Sequence, residues 1–345
     1  MGDFMKTIYN EFCGVLDSCL KSTLDKNIII YGCQGGDFVS WFYKNYYGKE
    51  IKAMVDRWAL SPISTILHLW SLYYIYDEND IIINTTSKNI KNEFNDTGED
   101  WERLKYQEKQ IINLWDMIYD SAVMENRLEP EITYFDWLEY KYDIDLLTTI
   151  KRKFVTGMHA HGYYPTDFRI FSEGTSKFDI KEEDAVLDIG SGKGSAVIAL
   201  SACGFKHIGA VEYTEDIYRT LVSNLNKMGI STTEYSVGSD AKVEIGSVNC
   251  YLGDASLMEA QLDNYNWFFL FNPFSWDIVQ KVLKNICNSL KRKPRKINIF
   301  YAEPIGHHLI MDTGMFRVKA KICSDLSNVS YYSYIYEAIQ AKGDN

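Results

Sequence analysis

One run near the middle of the chain constrains its fold more than any other. Ala185, Val186, Leu187, Asp188 and Ile189 pass directly into Gly190-Ser191-Gly192-Lys193-Gly194, and a helix-forming stretch follows through Ala202. An apolar run ending in glycines reads as a buried strand that turns sharply into a helix. The alternation continues downstream. His207–Glu212 reads as a strand ending in an acid, 217–228 as a helix, 250–252 as a strand, and Trp267–Phe271 as a wholly apolar strand ending at Asn272-Pro273-Phe274. A helix over 276–290 precedes a strand over 297–301, and 316–322 with 331–336 form a closing antiparallel hairpin. This spacing predicts an α/β fold with five parallel strands and a terminal antiparallel pair.

The first part of the chain repeats the logic on a smaller scale. After a helix over 6–24, Asn27–Tyr31 runs into Gly32-Cys33-Gln34-Gly35-Gly36, a strand followed by a turn; 38–47 looks helical, and 51–56 and Asp80–Asn84 are further strands. The weakly charged stretch 58–76 reads as buried helix, because Ser61, Ser64, Thr65, His68 and Ser71 make a poor bilayer span. Over 100–126, Leu104, Ile111, Leu114, Trp115, Ile118 and Met124 fall near one face of a long amphipathic helix. The expected organisation is a Rossmann-like accessory domain at 1–99, a helical or irregular linker and lid at 100–150, and a catalytic domain at 151–345.

Charge narrows the partners. The 345 residues hold 36 Lys and Arg against 47 Asp and Glu, a net charge of −11. Phosphate backbones are bound by Lys and Arg, so nucleic acid is not the expected partner and a small molecule is. Seven scattered cysteines without a CxxC pair, and no apolar run behind a basic start, fit a reducing cytoplasmic setting. No membrane partner and no metal site are expected.

The run Val186–Gly194 resembles the first motif of class I S-adenosylmethionine-dependent methyltransferases. It is not a phosphate-binding loop, since GxxxxGK[ST] spacing is missing. Later elements arrive in the family's order. Glu212 ends the second strand 24 residues after Asp188, Tyr251-Leu252-Gly253-Asp254-Ala255 follows the third, and Phe271-Asn272-Pro273-Phe274 ends the fourth. The resemblance implies S-adenosyl-L-methionine as cofactor, with contacts from Asp188, Gly190, Ser191, Gly192 and Gly194, ribose bonds from Glu212 beside Tyr213, and adenine contacts from Asp254 and Ala255. It places methyl transfer at Asn272, Pro273 and Phe274. Upstream, His161-Gly162-Tyr163-Tyr164-Pro165-Thr166 looks like the Tyr-x-Pro-Thr loop of a bacterial branch of the superfamily, and like the Tyr-Gly-Glu-Thr loop of non-SET histone-lysine methyltransferases. That similarity implies that Tyr163 and Thr166 touch the methionine part of the cofactor. Phe135-Asp136 and Tyr142-Asp143-Ile144-Asp145 loosely resemble the stretch before that loop in some bacterial members.

Three functions stay open at this stage. The first is methyl transfer to oxygen or nitrogen of a small or carbohydrate-type acceptor. The second is protein-lysine methylation, and the third a non-catalytic S-adenosylmethionine-binding regulator. DNA amino-methyltransferases carry (Asp/Asn)-Pro-Pro-(Tyr/Phe), whereas this chain has a single proline before Phe274. Candidate bases are His159, His161, Glu303, His307 and His308. In the first part of the chain, Asn27–Gly36 resembles a Tyr-Gly-x-Gly-x-x-Gly nucleotide-binding opening, with Gln34 and Asp37 at its second and third glycine positions. Asp56 lies 24 residues beyond Gly32, near the place of a ribose-binding acid.

Overall fold

The computed structural model of the chain describes residues 2–56, 66–75, 77, 79–96, 101, 110–120, 131–149, 163–175, 177–178, 180–239, 243–326 and 329–339. They divide into two compact units. One comprises Asn10–Lys141 and Asp325–Val329, the other Met1–Tyr9, Tyr142–Ser324 and Ser330–Asn345.

The first unit is a five-stranded parallel sheet. Its elements are the part of α1 (Gly2–Leu20) from Asn10 onward, β1 (Asn27–Tyr31), α2 (Cys33–Phe42), β2 (Ala53–Asp56), β3 (Ile66–His68), α3 (Leu72–Ile75), β4 (Asp80–Asn84), α4 (Ile90–Asn95), β5 (Ile111–Asn113), α5 (Leu114–Ile118) and α6 (Tyr134–Tyr142). The strand order is β3-β2-β1-β4-β5, the doubly wound arrangement. Its core is aliphatic: Ile29, Val55, Leu69, Leu72 and Ile82 are fully buried. Each such side chain contributes roughly 1.5–3 kcal/mol through burial.

Three expectations for this unit are corrected. The long helix over 100–126 is not formed, because Ile111 and Ile112 pair in parallel with Ile82 and Ile83 as an edge strand before the short α5 begins. Residues 100, 102–109 and 121–126 of that stretch lie outside the described residues. Pairing β-branched residues against a sheet edge here outweighs helical periodicity. The segment read as a linker from 100 onward thus supplies β5 and α6. The turn after β1 is shorter than the glycine run suggests. Gly32, at φ 98°, makes the turn, and α2 already includes Gly35 and Gly36. A Cβ on Gly35 would lie 2.8 Å from the Ile132 nitrogen, and one on Gly36 2.7 Å from Ile30 Cγ2, so these glycines let α2 lie close on its neighbours. Within 58–76, Ile66–His68 is a strand and Leu72–Ile75 a helix, while 57–65 lie outside the described residues.

The second unit contains α7 (Phe168–Thr175), β6 (Ala185–Ile189), α8 (Ser195–Ala202), β7 (His207–Glu212), α9 (Glu215–Lys227), β8 (Thr232–Ser236), β9 (Val248–Leu252), β10 (Trp267–Phe271), α10 (Trp276–Arg292), β11 (Asn298–Ala302), α11 (His307–Met311), β12 (Phe316–Leu326) and β13 (Val329–Ala338). The sheet order is β12-β13-β11-β10-β6-β7-β9-β8. Strands β6 to β11 run parallel and β13 runs antiparallel to β11, the Rossmann-like arrangement closed by a hairpin. The parallel set has six strands, one more than expected. The addition, β8, reads Thr-Thr-Glu-Tyr-Ser and is half exposed, an edge strand with no apolar run to reveal it. Every residue of β6 and β11 is buried. The chain turns outward from β6 toward β7 on one side and β10 on the other. A crevice opens there, at the carboxyl ends of the strands.

Among the described residues no helix is long and apolar enough to cross a membrane.

Candidate functional site

A cleft of 530 Å³ lies in that crevice. It is lined by the end of β6 (Asp188, Gly190, Ser191, Gly192), the end of β7 (Glu212, Tyr213, Thr214), the end of β10 (Phe271, Asn272, Pro273, Phe274), the loop Tyr163–Thr166, and Glu303 with Ile305 beyond β11. The sheet brings these together because parallel strands all end at the same edge.

The β6 turn is held by Val211, whose carbonyl accepts from both the Gly190 and Ser191 nitrogens at 3.0 Å. Gly190 sits at φ 85° and Gly192 at φ 53°. What a side chain would meet at these positions is this chain's own packing. A Cβ on Gly190 would lie 2.4 Å from Pro273 Cβ, and one on Gly192 would lie 2.3 Å from the Tyr163 ring. The expectation that these glycines make room for a bound ligand is thereby refined: each first makes room for another wall of the cleft. Gly194 is the residue before α8 and lies against Leu221 instead of lining the cleft.

Tyr163 is buried, and its hydroxyl donates to the Leu146 carbonyl. Behind it, Lys193 is 3% exposed and pairs with Asp145 at 2.6 Å, while its ammonium lies 5.5 Å from the Tyr163 ring centre. Asn224 on α9 ties these segments, donating to the Asp145 and Lys193 carbonyls at 2.7 and 3.0 Å. Neither Asp145 nor Asn224 carries a sequence signal for this role, because the partners lie 48 or more positions apart or on a different element.

The electrostatics are set by burial. Glu212 accepts from the Gly192 nitrogen at 3.0 Å and the Thr214 nitrogen at 2.8 Å, so its carboxylate is aimed at the β6 turn. Asp188 is buried beside it. Desolvation first, and then the Glu212 charge, hold the Asp188 carboxyl well above the usual carboxylate range. Asp188 Oδ2 and Ser191 Oγ are buried without a hydrogen-bond partner among the described residues. Orphaned polar atoms of this kind are uncommon in folded proteins and call for a partner such as a water, an ion or a polar ligand.

At the end of β10, Asn272 adopts φ 39°, and Glu303, beside it at the end of β11, adopts φ 48°. Non-glycine residues in this region concentrate at functional sites. The Tyr301 hydroxyl donates to Asn272 Oδ1 at 2.9 Å and accepts from the Gly306 nitrogen at 3.3 Å, which fixes the amide. Tyr164 and Tyr213 stand exposed at the rim.

Of the residues singled out from sequence, Tyr163, Thr166, Asp188, Gly190, Ser191, Gly192, Glu212, Tyr213, Asn272, Pro273 and Phe274 line the cleft. Asp254 and Ala255 do not. Asp254 instead caps a short helical turn by accepting from the Ser256 nitrogen at 2.8 Å, and Ala255 is buried in the core. Among the candidate bases, Glu303 lines the cleft. His307 shares a 2.8 Å hydrogen bond with the Tyr336 hydroxyl, and His308 packs edge-on against Trp276 with ring centres 5.0 Å apart. His159, His161 and Gly162 lie outside the described residues. In the first unit, Gly32, at the turn after β1, packs closely on Thr85 and Thr86 of the chain itself. A Cβ on Gly32 would lie 2.4 Å from Thr86 Cγ2 and 2.7 Å from Thr85 Oγ1.

No family model matches the sequence, and no curated protein matches it. Solved structures do. Sp1610 of Streptococcus pneumoniae, a candidate tRNA (m1A22) methyltransferase, is 16% identical over 50% of this chain and 70% of its own, with a TM-score of 0.35. PH0226 of Pyrococcus horikoshii OT3 is 14% identical over 50% of this chain and 89% of its own, with a TM-score of 0.37. The ribosomal protein L11 methylase of Lactobacillus delbrueckii subsp. bulgaricus is 10% identical over 49% and 77%, with a TM-score of 0.33.

Proposed function

We propose that the second unit is an S-adenosylmethionine-dependent methyltransferase whose cofactor and acceptor meet in the 530 Å³ cleft. The observation that carries this reading is the pair of orphaned polar atoms, Asp188 Oδ2 and Ser191 Oγ, buried at the β6 turn beside the Glu212 carboxylate. A nucleoside with a charged amino-acid tail offers donors and acceptors for such groups. When bound, the cofactor supplies a methyl group already activated on a sulfonium, so the protein's task is alignment and exclusion of water. Glu212 is assigned the ribose hydroxyls, Asp188 and Ser191 the polar groups over the β6 turn, and Tyr163 and Thr166 the closing wall. Asn272, held by Tyr301, orients the acceptor, while Phe274 walls it. Glu303 is assigned the proton that the acceptor gives up, as the candidate base that lines the cleft.

The acceptor class follows from size and charge. A few hundred cubic ångströms suits a cofactor with a small acceptor. Among the lining residues the ionisable acids are Asp188, Glu212 and Glu303, and none is Lys, Arg or His. An anionic acceptor would be repelled; a small neutral or cationic alcohol or amine is not.

Calorimetry with S-adenosylmethionine tests the binding half. Micromolar binding that weakens by about 1–3 kcal/mol in Glu212→Ala, the usual cost of losing charge-assisted hydrogen bonds, is the expected result. No binding overturns the reading. Transfer of a labelled methyl group is then screened over small amines and alcohols in parallel with protein and tRNA pools. Labelling confined to macromolecules refutes the acceptor class and leaves the cofactor assignment standing.

A further inference from the structure

The opposite end of the same sheet holds a second cleft, of 390 Å³, where β6, β10 and β11 begin at Ala185, Trp267 and Asn298. Its chemistry is the reverse of the first. In a chain of net charge −11, it is lined by Lys181, Lys293, Arg295, Lys296 and Lys319 against Glu183, Asp184 and Asp263. Much of this comes from one run, Lys291-Arg292-Lys293-Pro294-Arg295-Lys296.

Two of the three acids are already engaged by the protein. Asp184 accepts from Asn266 Nδ2 at 2.6 Å and the Lys181 nitrogen at 2.8 Å, and Asp263 pairs with Arg292 at 2.9 Å. Arg295 serves the frame. Its guanidinium donates to the Leu262 and Tyr265 carbonyls at 2.8 and 2.6 Å, which fixes the rim. Lys293 donates to the Asp263 carbonyl at 3.1 Å, while Lys296 and Lys319 are exposed and add positive charge at the cleft, the Lys319 ammonium 5.9 Å from the Trp267 ring centre.

The neighbouring first residues of β10 and β11 supply the second observation. Trp267 and Asn298 are register partners of a parallel pair, so their side chains share one face of the sheet. They are 3% and 2% exposed, and Trp267 Nε1 and Asn298 Oδ1 are buried without a hydrogen-bond partner among the described residues. One is a donor and the other an acceptor. A bare anion answers the indole N–H and the lysines but leaves the amide oxygen unsatisfied. A molecule that also carries hydroxyl groups answers both.

We propose that this cleft is a second ligand site, for a small phosphorylated, hydroxyl-bearing molecule of the sugar-phosphate class. The phosphoryl oxygens take the Lys296 and Lys319 ammonium groups and the Trp267 indole N–H, and a hydroxyl donates to Asn298 Oδ1. The site stands independently of the methyl-transfer reading.

The test follows the indole N–H resonances of the full chain by proton–nitrogen correlation spectra, with the Trp267 signal identified by its loss in Trp267→Phe. Ribose 5-phosphate, inorganic phosphate and a single-stranded RNA hexamer are titrated in turn. Saturable movement of the Trp267 signal by ribose 5-phosphate, at least tenfold tighter than by inorganic phosphate, is the expected result. The surface double variant Lys296→Glu with Lys319→Glu should weaken it tenfold or more while melting at the wild-type temperature. Equal affinity for inorganic phosphate overturns the hydroxyl part of the assignment. Binding of the hexamer without saturation by ribose 5-phosphate overturns the small-molecule class in favour of a polynucleotide. A Trp267 signal unmoved by all three removes the site.

Discussion

Replacing Gly192 by alanine isolates the contact that shapes the proposed cofactor cleft. The new Cβ would lie 2.3 Å from the Tyr163 ring, on a backbone at φ 53°. A left-handed conformation costs a non-glycine residue roughly 1–2 kcal/mol. Displacing a buried ring adds roughly 1–3 kcal/mol, the usual cost of overpacking. Tyr163 has little freedom to move aside, since its hydroxyl is bonded to the Leu146 carbonyl and its ring lies beside the Lys193 ammonium. The sum is about 2–5 kcal/mol, or about 30-fold to several-thousand-fold in an opening equilibrium. Hydrogen exchange of the β6 and β7 amides measures this locally, without requiring the whole two-unit chain to unfold in one step. In a Tyr163→Ala background the steric part disappears, and Gly192→Ala should cost only the backbone part, roughly 1–2 kcal/mol. The same cost in both backgrounds would refute the argument, because Tyr163 would then not be what the glycine accommodates.

Asp188→Asn removes a carboxyl that burial holds well above its ordinary range, so it should raise stability near neutral pH by about 1–3 kcal/mol while weakening S-adenosylmethionine binding tenfold or more. A melting temperature that falls, or an unchanged affinity, contradicts this. Tyr301→Phe releases the Asn272 amide and should leave cofactor affinity within a few-fold while cutting turnover about tenfold; Asn272→Ala should cut it about a hundredfold. Labelled-methyl transfer to the identified acceptor reads both, and undiminished turnover places acceptor alignment elsewhere. In the first unit, Asp136 is buried, and desolvation pushes its carboxyl up to about 6 despite hydrogen bonds from Thr133 and the Glu131 nitrogen. A folded-state value above the unfolded one means the stabilisation is complete below the ordinary carboxylate range and is lost as pH rises to about 6. The loss is at most about 3 kcal/mol. Asp136→Asn should flatten the melting temperature of this unit between pH 4 and 6.5; a profile that stays sloped assigns the slope to another group.

Short-range pattern was enough for most of the architecture. The apolar runs at 27–31, 80–84, 185–189 and 267–271 became buried parallel strands, because a strand covered on both faces must be apolar along its whole length. The turn at Gly190 and the acid at Glu212 were legible for a similar reason: each is a local requirement of a strand end, and the parallel sheet carries both to one edge. Tertiary structure decided whatever depends on partners distant in the chain. Ile111 and Ile112 belong to a helical pattern in isolation and became a strand only because the edge of β4 was there to pair with. Thr232–Ser236 has no pattern of its own and is a strand through β9. Tyr163 against Gly192, Tyr301 on Asn272 and Lys193 on Asp145 join residues 29, 29 and 48 positions apart. No sequence window spans such pairs, and their geometry exists only once the sheet has brought the strand ends together. The opposed charges of the two clefts arise in the same way. Lysines from separate segments and three separate acids each look like ordinary surface residues, until a parallel sheet sorts the beginnings of its strands to one end and their terminations to the other.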